Sequence, residues 1–67
     1  MITSTKQRVI EEQLALRNNI NKLNLFITTS SRYTSLSRRS QKLLRKQYKH
    51  MVAYHNILTE RLACWED

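Results

Sequence analysis

The chain contains no glycine and no proline. Those two residues punctuate turns and disrupt helix interiors, so their absence removes the usual signs of a loop-rich or strand-and-turn fold. It also excludes any glycine-rich loop that cradles phosphates. A single cysteine, Cys64, excludes an intrachain disulfide. No apolar run approaches the roughly 18 to 20 residues of a membrane span. Residues 1–7 lack the apolar core of a secretory signal, which leaves a reducing cytoplasmic setting as the expectation. Acidic residues are scarce, 5 against 12 lysines and arginines, for a formal charge of +7.

What is present is apolar spacing. In the first half, Val9, Gln13, Leu16, Ile20, Leu23 and Ile27 advance by alternating steps of four and three, as a helix-packing seam requires. Ile10, Leu14 and Phe26 widen that stripe. In the second half, Leu44, Tyr48, Met51, His55, Leu58, Leu62 and Trp65 do the same. Between them the run Thr28-Thr29-Ser30-Ser31-Arg32-Tyr33-Thr34-Ser35 is rich in hydroxyls, which compete for backbone hydrogen bonds and favour turns and caps. The pattern predicts a single all-α domain over residues 1–67. A first helix spans about 5–27, with Ser4 as N-cap and Gln7 completing a capping box. A connection covers 28–37, and a second helix, starting after Ser37, spans about 38–65. The helices form an antiparallel hairpin.

A hairpin this short has little core of its own. Below roughly 70 to 80 residues, stability needs a disulfide, a metal or oligomerisation. Only the last remains, so the chain is expected to self-associate, at least as a dimer, into a helical bundle. The seam residues Leu16, Ile20, Leu23, Leu44, Met51, Leu58 and Leu62, or their flanks, carry that packing. Beside the second seam runs another stripe: Leu43, Gln47, His50, Tyr54, Ile57 and Arg61. It reads either as the flank of one broad buried face or as a second contact surface for another subunit or a ligand.

Catalysis finds no support in the residues. His50 and His55 are five apart and turn to different helix faces, so they are no two-histidine metal site; His55 reads as a packed core histidine. Glu11 and Glu12 point about 100° apart and form no acid/base pair. Cys64 reads as an incidental half-buried thiol. The expectation is a non-enzyme without metal or cofactor.

The charge is concentrated. Arg32, Arg38, Arg39, Lys42, Arg45, Lys46 and Lys49 follow one another with no acid among them, and the other basic and acidic residues cancel. On a helix, Arg38, Lys42, Arg45 and Lys49 share a strip about 60° wide facing away from the seam, with Arg39 and Lys46 extending it. A solvated outer face is the plain reading. Against it, soluble faces mix both signs, and Arg38 and Arg39 crowd a helix N-terminus whose dipole disfavours cations by about 0.3–1 kcal/mol each. The strip therefore reads as an anion-binding surface, for a nucleotide, a nucleic acid or an acidic protein. Tyr33, beside Arg32, is the candidate for base stacking, and Tyr48 is assigned to the core.

The series Arg8-Val9-Ile10-Glu11-Glu12, Leu16, Ile20, Lys22-Leu23, Phe26-Ile27, Tyr33, Leu36-Ser37, Gln41, Leu43-Leu44, Gln47, Met51, Tyr54, Leu58, Arg61-Leu62 resembles small helical-hairpin accessory proteins of tailed bacteriophages, including those of crAss-like phages and lambdoid accessory regions. The resemblance implies a protein acting in the cytoplasm of the infected bacterium. It marks Arg8, Gln47, Tyr54 and Arg61 as candidate pocket residues; Tyr54 and Arg61, seven apart on the second stripe, read as lining a small anionic pocket between subunits. This chain departs from that pattern at Asn18, Asn19, Asn21, Asn24, Arg38 and Arg39, where glutamates would be expected. Together these readings give a non-catalytic, anti-defence or host-modulating protein that binds an anionic partner. The rivals are an inhibitor docking on an acidic host protein and a bare structural hairpin.

Overall fold

The computed structural model describes residues 5–65. Two long helices, α1 (Thr5–Thr29) and α3 (Arg38–Ala63), flank a single helical turn, α2 (Ser31–Thr34). α1 and α3 pack antiparallel along their length, and no strand occurs among the described residues. The body is long and thin, 47 × 22 × 15 Å. Ser4, the expected N-cap of the first helix, lies outside the described residues. The second helix stops at Ala63 rather than Trp65: Cys64 leaves helical geometry at φ −118, ψ 42 while its N–H still donates to Glu60 O.

The hydroxyl run is more ordered than a plain loop. Thr28 and Thr29 turn their hydroxyls back onto the carbonyls of Asn24 and Leu25, at 2.8 and 2.6 Å, which lets α1 continue to Thr29. The chain then breaks at Ser30, whose extended backbone and side-chain oxygen cap α2 through Arg32 N–H. Ser37 repeats the device at α3, accepting from Ser40 N–H at 3.2 Å. Both are serine N-caps, in which a side-chain acceptor satisfies one of the orphan donors of the first turn. No described residue has a positive φ, so the absence of glycine costs the turn nothing.

Gln41 fastens the connection to α3. Its side-chain amide donates to Tyr33 O at 2.9 Å and Leu36 O at 3.2 Å, with a longer contact to Thr34 O. Tyr33, the candidate for stacking, is half-buried beside this tie. Its hydroxyl donates to Gln41 O, and its ring meets Phe26 edge-on with centroids 6.2 Å apart.

Burial follows the alternating steps of four and three. Val9, Gln13, Leu16, Ile20, Leu23 and Ile27 of α1 are covered wholly or in part, as are Leu44, Tyr48, Met51, His55, Leu58 and Leu62 of α3. Among the described residues, only Val9 and Leu58 are buried, at 5% and 0% exposure. Leu14, expected to widen the first stripe, is exposed because it lies on the far side of α1. Near the free end, opposite the connection, Gln13 Nε2 donates to Thr59 Oγ1 at 2.6 Å, a polar tie between the helices.

The second stripe is not the flank of a broad buried face. Leu43, Gln47, His50, Tyr54, Ile57 and Arg61 are all exposed. The stripe sits about 100° around α3 from the seam, and one partner helix cannot cover both.

Candidate anion-binding groove

The basic strip lies where α3 begins, beside the connection. Lys42, Arg45, Lys46 and Lys49 line an open cavity of about 670 Å³, closed on its other sides by Tyr48 and by Asn24 and Ile27 of α1. Helix geometry brings them together. Residues 42, 45, 46 and 49 are one turn apart in pairs and so share a face. The antiparallel pairing sets the last turns of α1 opposite that face. The seam residue Ile27 and the half-buried Tyr48 make an apolar floor; the four cations make a rim. Among the described residues, no acid lines the cavity. Lysine and arginine stems can lie along such a floor while their heads remain hydrated.

Arg38 and Arg39 are exposed in the first turn of α3 and do not line the cavity. They extend the positive field beyond its mouth. Tyr48, assigned to the core, is instead half-buried with access to the groove. Its position carried that signal: it stands at the edge of the seam nearest the strip, so one side faces α1 and the other the lysines. Asn24 and Ile27 could be linked to the strip only once the pairing of the two helices was known.

The other candidates, Arg8, Gln47, Tyr54 and Arg61, are exposed and do not line the groove. Gln47, Tyr54 and Arg61 follow one another at two-turn intervals along about 21 Å of helix. Within one chain they form a face and not a pocket. Gln47 Nε2 lies 3.8 Å from Met51 Sδ. Tyr54 is engaged across the hairpin, its hydroxyl donating to Glu12 Oε1. That bond, then lost hydration and then the Glu12 charge raise the Tyr54 pKa above the ordinary tyrosine value, while Arg61 pulls it down. A raised folded-state pKa means the tie persists through neutral pH and is lost only as pH climbs through that elevated value. Glu12→Gln is therefore expected to lower the ionisation midpoint of Tyr54, followed by its ring NMR shifts. An unchanged midpoint would show that Glu12 does not hold the phenol.

The exposed Cys64 thiol donates to Glu60 O at 3.0 Å and has no second thiol to join. Among the described residues, no group of three or more histidine, cysteine or acidic side chains could hold a metal, and no helix is long and apolar enough to cross a membrane.

Comparison with known proteins places the chain in a family. The Sequestin family model matches residues 3–64, nearly the whole sequence, and the chain belongs to that family. No significant match was found among curated proteins or among solved structures.

Proposed function

We propose that this Sequestin-family chain is a non-catalytic accessory protein of a tailed bacteriophage. It works in the cytoplasm of the infected bacterium, as a self-associated unit, by sequestering an anionic partner. The groove between α1 and α3 is the observation that carries the reading: four cations around an apolar floor with a tyrosine edge, and no acid among them. Its volume, about 670 Å³, falls in the range of about 300–1,000 Å³ that small-molecule sites occupy. A nucleotide fits that chemistry. Its phosphates would take the arginine and lysines through charge-assisted hydrogen bonds, and its base would lie against Tyr48 and Ile27. The family's name points the same way, toward holding a partner rather than converting it.

Sequestration needs no reacting group. A ligand held here is withdrawn from its receptor by mass action, so the effect scales with the amount of protein and with affinity. Arg38 and Arg39, outside the groove, favour a second reading, because they lengthen the basic surface enough for a nucleic acid strand or an acidic host protein to lie along it.

Titration calorimetry at low salt separates these ligands, using mononucleotides, cyclic nucleotides, single strands and duplex DNA. The expected result is saturable binding of a nucleotide at a fixed ratio per chain, with the nucleotide recovered chemically unchanged. A polymer ligand would instead show log K falling with log salt by about 0.9 per duplex phosphate contacted. Binding of none of them would overturn the anion reading and leave the acidic host protein.

A further inference from the structure

The uncovered stripe of α3 has a property that the groove does not share: its spacing reads the same from both ends. Leu43, Gln47, His50, Tyr54, Ile57 and Arg61 advance by four, three, four, three and four. Two such stripes laid antiparallel therefore meet in register about a twofold axis between His50 and Tyr54. Leu43 then lies against Arg61 of the second copy, Gln47 against Ile57, and His50 against Tyr54. Each apolar residue meets a side chain with an apolar stem or ring, and each polar tip can reach the rim. A twofold contact requires this kind of self-complementarity.

We infer that this stripe is the surface through which two copies of the chain pair, with their third helices antiparallel. Three observations support the occupant and its orientation. Leu43, Tyr54 and Ile57 are exposed by 53%, 41% and 52%, an apolar row on a hairpin with only two fully buried side chains. The solvent-accessible surface of the chain is 5761 Å², against about 4,500 Å² for a compact monomer of its mass. Two copies thus carry enough excess surface for a standard interface of about 1,200–2,000 Å².

Charge fixes the direction. The residues from Arg32 to Lys49 that carry the net charge occupy the connection end of the hairpin, while toward the free end Glu11, Glu12 and Glu60 are offset by Lys6, Arg8, Arg17 and Arg61. Parallel pairing would set two strongly positive ends side by side. Antiparallel pairing sets each beside the end of the other copy where acids and bases nearly balance. Lys42, Arg45 and Lys49 of the groove lie about 100° or more around α3 from the centre of the stripe, while Lys46, one turn from Leu43 and His50, borders it.

The inference rests on the reading of the chain as self-associating, and not on what the groove binds. Sedimentation of the unaltered protein at micromolar concentration tests that reading; a monomer would overturn both. Ile57→Glu tests the surface, because Ile57 is already exposed in the hairpin and its replacement leaves the seam intact. Its expected effect is a dimer weakened by at least about 30-fold in affinity, with helix content unchanged. A dimer of undiminished affinity would overturn the surface and leave self-association standing.

Orientation is read by cross-linking with a short bismaleimide in a Cys64→Ser background. In that background His50→Cys should cross-link, since the two positions lie near the axis. Leu43→Cys should not, because antiparallel pairing holds its two copies about 27 Å apart along the helix. Efficient cross-linking at Leu43→Cys would overturn the antiparallel arrangement. These two variants also decide the matter should Ile57→Glu fail to fold.

Discussion

Leu58→Ala is expected to unfold most of the protein at physiological temperature. Among the described residues, Leu58 is the one large side chain with no exposure at all. Truncating a fully buried leucine costs about 2–5 kcal/mol, combining lost transfer energy with the cavity left behind. A domain below roughly 70–80 residues rarely draws more than about 3–5 kcal/mol from a single core. The loss therefore matches the whole margin. Urea titration followed by circular dichroism should show the transition midpoint moving toward zero denaturant. Leu25→Ala makes the control, since Leu25 is 63% exposed and its loss should matter little. Equal sensitivity at both positions would mean that the packing between α1 and α3 is not what holds the hairpin.

The second large effect concerns the groove. Arg45→Ala combined with Lys49→Ala removes two of its four cations without touching the seam. A hydrogen bond to a charged group contributes about 1.5–3 kcal/mol, so the pair should weaken binding of a phosphate-bearing nucleotide on the order of 100-fold. Arg38→Ala makes the contrast, because Arg38 lies outside the lining and acts only through its longer-range field, which salt screens. Calorimetry on both variants at two salt concentrations distinguishes the roles. Equal losses from the two variants would assign binding to diffuse charge rather than to the groove.

The two long helices and the side of each that is covered were readable from the residues, because a helix of apolar steps four and three has one face to bury and no glycine or proline interrupts it. The break was readable too, since the serines and threonines at 28–35 compete for backbone groups. Its internal order was not. That Ser30 and Ser37 cap separate helices, and that Gln41 reaches back to three carbonyls, depends on where the chain turns and not on composition. The fate of the second stripe was equally open. Apolar bodies with polar tips suit a buried flank and an exposed contact surface alike, and only the arrangement of two helices shows that one of them cannot cover it.

The candidate site divides along the same line. Helical spacing put Lys42, Arg45, Lys46 and Lys49 on one face before any tertiary contact was known. The contribution of Asn24 and Ile27 is a consequence of antiparallel pairing, and Tyr48 changes role because a seam-edge residue borders two environments. What the sequence could not show of Tyr33 is that its ring meets Phe26 edge-on and its hydroxyl donates to Gln41 O.

The two fully buried residues, Val9 and Leu58, both belong to the free end of the hairpin, where Gln13 and Thr59 join across 46 positions of chain. That geometry bears on how the molecule folds. Contacts near the connection close short loops and can form early; those at the free end close the longest loop in the chain and pay the most conformational entropy before they form. The tightest packing is therefore the last to assemble. A chain zipping from its connection gains little until it reaches Val9 and Leu58, which discourages half-closed states from accumulating. Such an order of events would make a very small protein fold as one cooperative unit despite having almost no interior.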